Sequence, residues 1–115
     1  MKGPRLHLLL TDPGGTQTTG SVVSQALHAT HALQDAEPDA YTQWHSTSNT
    51  LVILRATPEE LENLRVKAET YGVAHATFRE PDPPWNGQPS ALAIYPDDEG
   101  EIQLVKHATR RLRPL

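Results

Sequence analysis

Two short apolar runs restrict the fold of this chain more than any other feature. Residues 5–11 contain the uninterrupted triplet Leu8-Leu9-Leu10, and residues 50–56 read Thr-Leu-Val-Ile-Leu-Arg-Ala. Strands that are apolar at consecutive positions, rather than at alternate ones, are typical of strands covered on both faces. Such strands lie inside a sheet with helices on both sides, so the sequence predicts an α/β fold.

Helical patterns alternate with these strands. The predicted order is a strand at 5–11, a helix at 19–34, a short helix at 38–45, a strand at 50–56, a helix at 58–71, strands at 73–80 and 90–95, and a last helix with apolar residues spaced helically from Ile102 to Leu112. This alternation favours a mostly parallel sheet of four strands. The third and fourth strands are close enough in sequence to pair antiparallel.

The helix at 58–71 has well-defined ends. Thr57 and Glu60 have the spacing of a capping box, and Pro58 stands at the first helical position. Gly72 supplies a stop. The predicted buried residues of this helix are Leu61, Leu64, Ala68 and Tyr71.

The helix at 19–34 has two distinct faces. At about 100° per residue, one arc carries an apolar stripe, consisting of Val22, Ala26, Ala29 and Leu33. The adjacent arc carries Ser21, Gln25 and His28. We therefore expect polar side chains along one edge of the core. An ordinary amphipathic helix with polar margins remains the alternative.

Composition limits the classes of protein and of site. A chain of 115 residues predicts one domain, residues 1–115, and the absence of cysteine excludes disulfides and thiolate metal sites. No apolar run is long enough to span a membrane, and Leu6–Leu10, interrupted by His7, is too short for a signal-peptide core. These features favour a soluble cytoplasmic protein. The six histidines have no recognised zinc-ligand spacing, so we expect no metal.

Charge is distributed unevenly along the chain. The net charge of -4 argues against broad nucleic-acid binding. Nevertheless, the segment after Ile102 is basic, with Lys106, Arg110, Arg111 and Arg113, and it follows an acidic stretch. Two explanations stay open: side chains that complement a helix dipole, or a phosphate-binding patch.

Candidate chemistry lies where strands end. Ligands of open α/β sheets gather beyond the carboxyl ends of the strands. Thr11 and Asp12 follow the first strand, and Glu80 and Asp82 follow the third. The polar face of the first helix begins at the same place. A carboxylate, a histidine and neutral hydrogen-bonding groups in one cleft would suit hydrolysis by an activated water; the alternative is that Glu80 and Asp82 are solvated loop residues.

Several short motifs together resemble the peptidyl-tRNA hydrolase type II family. Residues 20–29 read Gly-Ser-Val-Val-Ser-Gln-Ala-Leu-His-Ala and match the family signature Gly-Lys-x-x-x-Gln-x-x-His-Ala except at Ser21. The remaining similarities are Thr11-Asp12, Trp44, Tyr71-Gly72-Val73, Phe78-Arg79-Glu80-Pro81-Asp82, Ala91 to Pro96, and the ending from Leu104 to Leu115. The resemblance covers about residues 5–115, and the order of the motifs gives it its weight.

The resemblance implies a fold and an activity. The family fold is a three-layer α/β/α sandwich with a mixed four-stranded sheet. Its activity is hydrolysis, without a cofactor, of the ester that joins a peptide to tRNA. By motif match, Gln25, His28 and Glu80 would be catalytic. The substrate-binding residues would be Ser21, Thr11, Asp12, Asp82 and Ser90.

Departures from the family pattern concern the binding of tRNA. The signature lysine is Ser21 here, and the usually basic loop before it reads Thr16-Gln17-Thr18-Thr19. Losing phosphate contacts weakens RNA binding steeply, and the acidic net charge acts in the same direction. Lys106, Arg110 and Arg111 would compensate if they lie on the same face as the site. A non-catalytic binding module and a hydrolase of another ester or amide remain alternatives. The oligomeric state stays open, a homodimer included.

Overall fold

The computed structural model describes residues 4–15 and 17–115. Within these residues the chain forms five strands, β1 (Leu6–Leu10), β2 (Leu51–Arg55), β3 (Ala74–Arg79), β4 (Pro89–Tyr95) and β5 (Arg113–Pro114). Its helices are α1 (Thr19–Ala36), α2 (Pro38–Ser46), α3 (Pro58–Tyr71) and α4 (Glu99–Thr109), and one 3-10 turn (Pro13–Gly15) follows β1. The fold is α/β, as predicted. In the described part of the chain, no helix is both long and apolar enough to cross a membrane.

The sheet is mixed, with strand order β3-β4-β1-β2-β5. β1 pairs parallel with β2, whereas the β1–β4, β3–β4 and β2–β5 pairs are antiparallel. The antiparallel pairing of the third and fourth strands is confirmed. The predictions of four strands and of a mostly parallel sheet are wrong. A loop rather than a helix joins β3 to β4, so β4 returns beside β3 and lies between it and β1.

Apolar side chains cover both faces of the sheet. Successive residues of a strand point to opposite faces, and Leu8 and Leu10 accordingly pack in a different cluster from Leu9. The first cluster includes residues of α1 and α2, namely Val22, Ala26, Ala29, Leu33 and Trp44. The second includes residues of α3 and α4, namely Leu61, Leu64, Ala68 and Val105. The apolar run of β1 is therefore covered on both faces, as predicted.

Coverage is less complete at β2 than the sequence predicts. Only Leu54 of this strand is buried, and Leu51 and Arg55 are exposed. The reason is the position of β2, because its outer neighbour β5 has only two residues. β2 consequently lies near the edge of the sheet.

Helix α1 follows its predicted pattern closely. Thr18 caps its first turn by accepting a hydrogen bond from the backbone N–H of Ser21. The apolar stripe of α1 is buried along its whole length, which confirms the prediction for that face. The helix continues to Ala36, and α2 begins two residues later at Pro38. The predicted break between the two helices is therefore confirmed.

Both ends of α3 lie where the sequence predicts them, but one residue that was predicted to be buried is exposed. The capping box between Thr57 and Glu60 is present, and Gly72 adopts a left-handed backbone with φ 69°. Tyr71, predicted to be buried, is 65% exposed. The chain turns at Gly72, and Val73 takes the core position instead, with its N–H bonded to the carbonyl of Ala68.

The last helix is shorter than predicted. α4 ends at Thr109, and Leu112 lies beyond it in a turn, where its N–H bonds to the carbonyl of Thr109. The next residues, Arg113 and Pro114, pair with β2 as strand β5. Two residues of strand have no detectable alternating pattern, so this strand was not predictable from periodicity.

Candidate active site

One edge of the sheet collects the ends of several strands. β1, β2 and β3 run in one direction, and β4 and β5 run in the other. The carboxyl ends of the first three and the amino ends of the other two therefore share an edge, which we call the carboxyl edge. The residues placed there are Thr11, Asp12, Arg55, Glu80, Ser90 and Arg113.

A chain of hydrogen bonds joins helix α1 to this edge. Nε2 of Gln25 donates to Oε1 of Glu80 at 2.8 Å, and Oγ of Ser90 donates to Oε1 of Gln25 at 2.6 Å. Gln25 is 3% exposed and Ser90 is fully buried, whereas Glu80 is half-buried. We call these three residues the polar cluster. The cluster fixes the Gln25 amide and holds the Glu80 carboxylate where the buried network meets solvent.

Backbone contacts fix Glu80 at the base of the loop between β3 and β4. The Glu80 carbonyl accepts from the N–H of Gly87 at 2.7 Å, and the Glu80 N–H donates to the carbonyl of Gln88 at 3.3 Å. Asp82, predicted to bind substrate, is exposed in this loop, and its N–H lies 3.4 Å from Oε2 of Glu80. The two hydrogen bonds to Gly87 and Gln88 thus close the base of the loop and fix the backbone of Glu80.

Thr11 and Trp85 form a second buried contact beside the polar cluster. Nε1 of Trp85 donates to the hydroxyl of Thr11 at 3.0 Å, and that hydroxyl donates to the carbonyl of Pro89 at 3.1 Å. Thr11 is 2% exposed. Its buried side chain therefore anchors the loop, and its role in substrate binding stays a prediction. Sequence reasoning missed Trp85, although an aromatic residue within a proline-rich loop is a usable signal.

His28 lies on the same face of α1 as Gln25 but contacts a different partner. Its ring stacks on Phe78 of β3, with ring centroids 4.6 Å apart and 26° between the planes. No hydrogen bond joins the His28 ring to the polar cluster among residues 4–15 and 17–115. The half-buried ring is linked to the cluster through Phe78, whose carbonyl lies 3.4 Å from Oγ of Ser90.

The start of α1 forms a separate network of polar contacts. Oγ of Ser21 donates to Oε1 of Gln17 at 3.2 Å, and the N–H of Gln17 donates to Oδ1 of Asp12 at 3.2 Å. A guanidinium nitrogen of Arg55 lies 3.7 Å from Oδ2 of Asp12. Ser21 and Asp12 are thus linked through Gln17 and lie apart from the polar cluster. Thr16, part of the predicted loop, lies outside the described residues.

Basic residues surround two clefts that meet at Arg111. One cleft of about 330 Å³, beside the ends of β1 and β2, is lined in part by Asp12, Arg55, Arg111 and Arg113. The other lies between α3 and α4 and adds Arg110. Lys106, predicted together with Arg110 and Arg111, lines neither cleft. The basic residues at the end of the chain therefore do not all line the same surface, since Lys106 lies outside both clefts. Arg55 of β2, which is distant in sequence, contributes to the first cleft.

The structure brings the predicted residues together in part. Gln25 is hydrogen-bonded to both Glu80 and Ser90, whereas His28 stacks on Phe78. Within the described ranges, no group of three or more histidine and acidic side chains is placed to hold a metal ion. The chemistry available at the carboxyl edge is a half-exposed carboxylate held by a buried amide.

The fold and the polar cluster define an α/β protein with a carboxylate site at the carboxyl edge of its sheet. The family model described as "Peptidyl-tRNA hydrolase PTH2" matches residues 11–115. The chain therefore belongs to the PTH2 family of peptidyl-tRNA hydrolases, as its motifs predict.

Comparisons with individual proteins add evidence on the fold alone. No curated protein matches the chain. A solved structure of a protein of unknown function, Atu0240 from Agrobacterium tumefaciens strain C58, is similar with a TM-score of 0.64. It is 12% identical in sequence, and the match covers 100% of this chain and 99% of that one. At this identity the likeness supports a common fold and no common function.

Proposed function

We propose that this protein is a peptidyl-tRNA hydrolase, which releases tRNA by attack of water on the ester between the peptide and the 3′ ribose. Membership of the peptidyl-tRNA hydrolase family supports an enzyme that acts on peptidyl-tRNA. The observation that carries the assignment is the Glu80 carboxylate, which a buried amide holds at the rim of the site. We also propose that residues 1–115 form one domain and that its helices and sheet make a three-layer α/β/α sandwich.

Glu80 acts in this proposal as the group that orients and activates water. The water oxygen attacks the ester carbonyl carbon, and its proton passes to the Glu80 carboxylate. The bond from that carbon to the ribose oxygen then breaks, and the proton is transferred to the leaving oxygen. The products are a peptide with a free carboxyl group and a tRNA with a free hydroxyl. A positioned base of this kind contributes about 10²–10⁴-fold to the rate.

Gln25 and His28 support this step in different ways. Because Oε1 of Gln25 accepts from Ser90, its Nε2 faces Glu80 and keeps the carboxylate in one orientation. The His28 ring, packed flat against Phe78, borders the place where the substrate would lie. Gln25 is therefore a positioning residue, whereas Glu80 touches the reacting water.

Hydrolysis of an N-acetylated aminoacyl-tRNA at low salt tests the proposal. We expect turnover by the natural chain and a loss of about 10²–10⁴-fold in kcat/KM for Glu80→Gln, which keeps the shape of the side chain but not its basicity. Glu99→Gln is the matched control, because Glu99 is an exposed carboxylate at the start of α4, which follows β4 at the opposite edge of the sheet. The control variant should retain full activity.

A second candidate function is that of a non-catalytic relative that binds a partner. The observation in its favour is Ser21, which stands where the family signature has a lysine and whose hydroxyl is bonded to Gln17. The Ser21→Lys variant separates the two candidates. If only this variant hydrolyses the ester, or if neither protein does at high enzyme concentration, the hydrolase assignment of the natural chain is wrong.

A further inference from the structure

Three arginines lie together at the carboxyl edge, the same edge of the sheet that carries the polar cluster. Arg55 ends β2, Arg113 begins β5, and Arg111 precedes β5 in the turn after α4. All three line the same cleft. We propose that this arginine edge, meaning Arg55, Arg111 and Arg113, binds the phosphodiester backbone of the tRNA whose 3′ end lies at Glu80. The inference rests on the proposed function and assigns this chain its own phosphate site in place of the signature lysine.

The pairing of Arg55 with Arg113 points to an anionic ligand. The two residues are direct partners in the antiparallel β2–β5 pair. Directly paired side chains lie on one face with Cβ atoms roughly 4.5–5.5 Å apart, and like charges at such positions destabilise the pair. A bound anion between the two guanidinium groups removes this repulsion.

The carboxylates nearby are already engaged. Asp12 lies 3.7 Å from Arg55, but its other oxygen accepts the N–H of Gln17. Glu60 also lines the cleft, and its Oε1 accepts the N–H of Thr57 in the capping box of α3. Three guanidinium groups therefore face two carboxylates, which leaves one positive charge in excess at the cleft. The surplus positive charge is available to a ligand.

The chemistry of the ligand follows from the arginines themselves. A guanidinium presents paired N–H donors in a planar fork, which matches the oxygens of a phosphate. Arg55 has 52% of its side chain exposed, and both Arg111 and Arg113 are exposed. A phosphate that approaches the edge can thus reach all three without displacing a buried group.

The distance along the sheet between the polar cluster and the arginine edge fits a polymeric ligand rather than a single small anion. Ser90 on β4 and Arg113 on β5 are three strand spacings apart in the order β4-β1-β2-β5. At about 4.8 Å per spacing, this separation is roughly 14 Å. A nucleic-acid strand in a duplex carries one phosphate per about 3.4 Å of axis, so about four nucleotides cover it. One tRNA can therefore occupy the polar cluster with its end and the arginine edge with its backbone.

Binding of deacylated tRNA by the full chain, measured across a series of salt concentrations, tests this inference. Each phosphate contact contributes about 0.9 to the slope of log K against log salt for a duplex. The double variant Arg55→Gln/Arg113→Gln should bind more weakly and lose about 1.8 from this slope. The matched control is Arg5→Gln/Arg65→Gln, which removes the same charge. Arg5 lies at the opposite edge of the sheet, and Arg65 pairs with Glu62 on α3 and lines neither basic cleft.

A second variant guards against a folding defect in the strand pair. Arg111→Gln changes a residue outside the β2–β5 pairing and should lower the slope by about 0.9. An unchanged slope in both variants, or an equal loss in the control, overturns the arginine edge. The readout needs no hydrolysis. If the natural chain binds tRNA through the arginines but releases none from the ester, the proposed activity fails and the phosphate site stands.

Discussion

Replacing Gln25 by leucine tests whether the polar cluster is a connected unit. The leucine side chain fills the buried space but accepts no hydrogen bond, so the fully buried Ser90 hydroxyl loses its acceptor at 2.6 Å. The carbonyl of Phe78 remains, at 3.4 Å. A buried donor without a good partner costs about 1–3 kcal/mol. Glu80 is half-buried and can bind water instead, so we expect a loss of about 1–3 kcal/mol in the free energy of unfolding.

Urea unfolding of a double-mutant cycle provides the measurement. In the Gln25→Leu background, Ser90→Ala removes the stranded hydroxyl and should cost at least about 1 kcal/mol less than it does in the natural chain. Gln34→Leu is the matched control, because Gln34 is exposed on the same helix and its replacement should stay within about 0.5 kcal/mol. Additive losses from the two substitutions would show that Gln25 and Ser90 are not coupled, which refutes the reasoning.

Two further predictions concern stability elsewhere in the chain. Burial lowers the pKa of His7 below its ordinary value of 6.5. Below that pH the unfolded chain binds more protons than the folded one, so the free energy of unfolding should decrease as the pH is lowered below 6.5. Thermal melts above and below this pH should show a weaker dependence for His7→Gln, and an equal dependence contradicts the assignment. Trp85→Phe keeps a ring in the loop but removes the N–H that Thr11 accepts, and should cost about 1–3 kcal/mol in urea unfolding. A loss of less than about 0.5 kcal/mol in the free energy of unfolding, which is usual for replacing an exposed residue, would mean that this hydrogen bond does not anchor the loop.

Local sequence signals predicted the parts of the fold that depend on neighbouring residues. The triplet Leu8-Leu9-Leu10 identified a strand covered on both faces, and Thr57, Pro58 and Gly72 identified both ends of α3. Apolar runs and caps act within a few residues, so they can be read without knowing the rest of the chain. The two-residue strand β5 depends instead on pairing with β2, some 58 residues earlier at Arg55, and nothing near Arg113 encodes that pairing.

The sequence predicted which residues lie at the candidate site better than it predicted the contacts that they make. Helical spacing placed Gln25 and His28 on one face, but spacing gives the direction of a side chain and not its depth. Gln25 is buried and bonded to Glu80, whereas His28 packs on Phe78. Thr11 illustrates the same limit, because its position after β1 suggested substrate binding while its hydroxyl is enclosed by the loop that carries Trp85.

The position of β4 between β1 and β3 has a consequence for biosynthesis. Ser90 contacts Thr11 across 79 residues of sequence, so the site does not exist until β4 has left the ribosome. Before then, one edge of β1 carries unpaired backbone groups next to Leu8 and Leu10, which is the kind of edge that recruits other strands. A nascent chain stalled before β4 therefore lacks the candidate site and is exposed to aggregation, and β4 both pairs the free edge of β1 and brings Ser90 to Gln25.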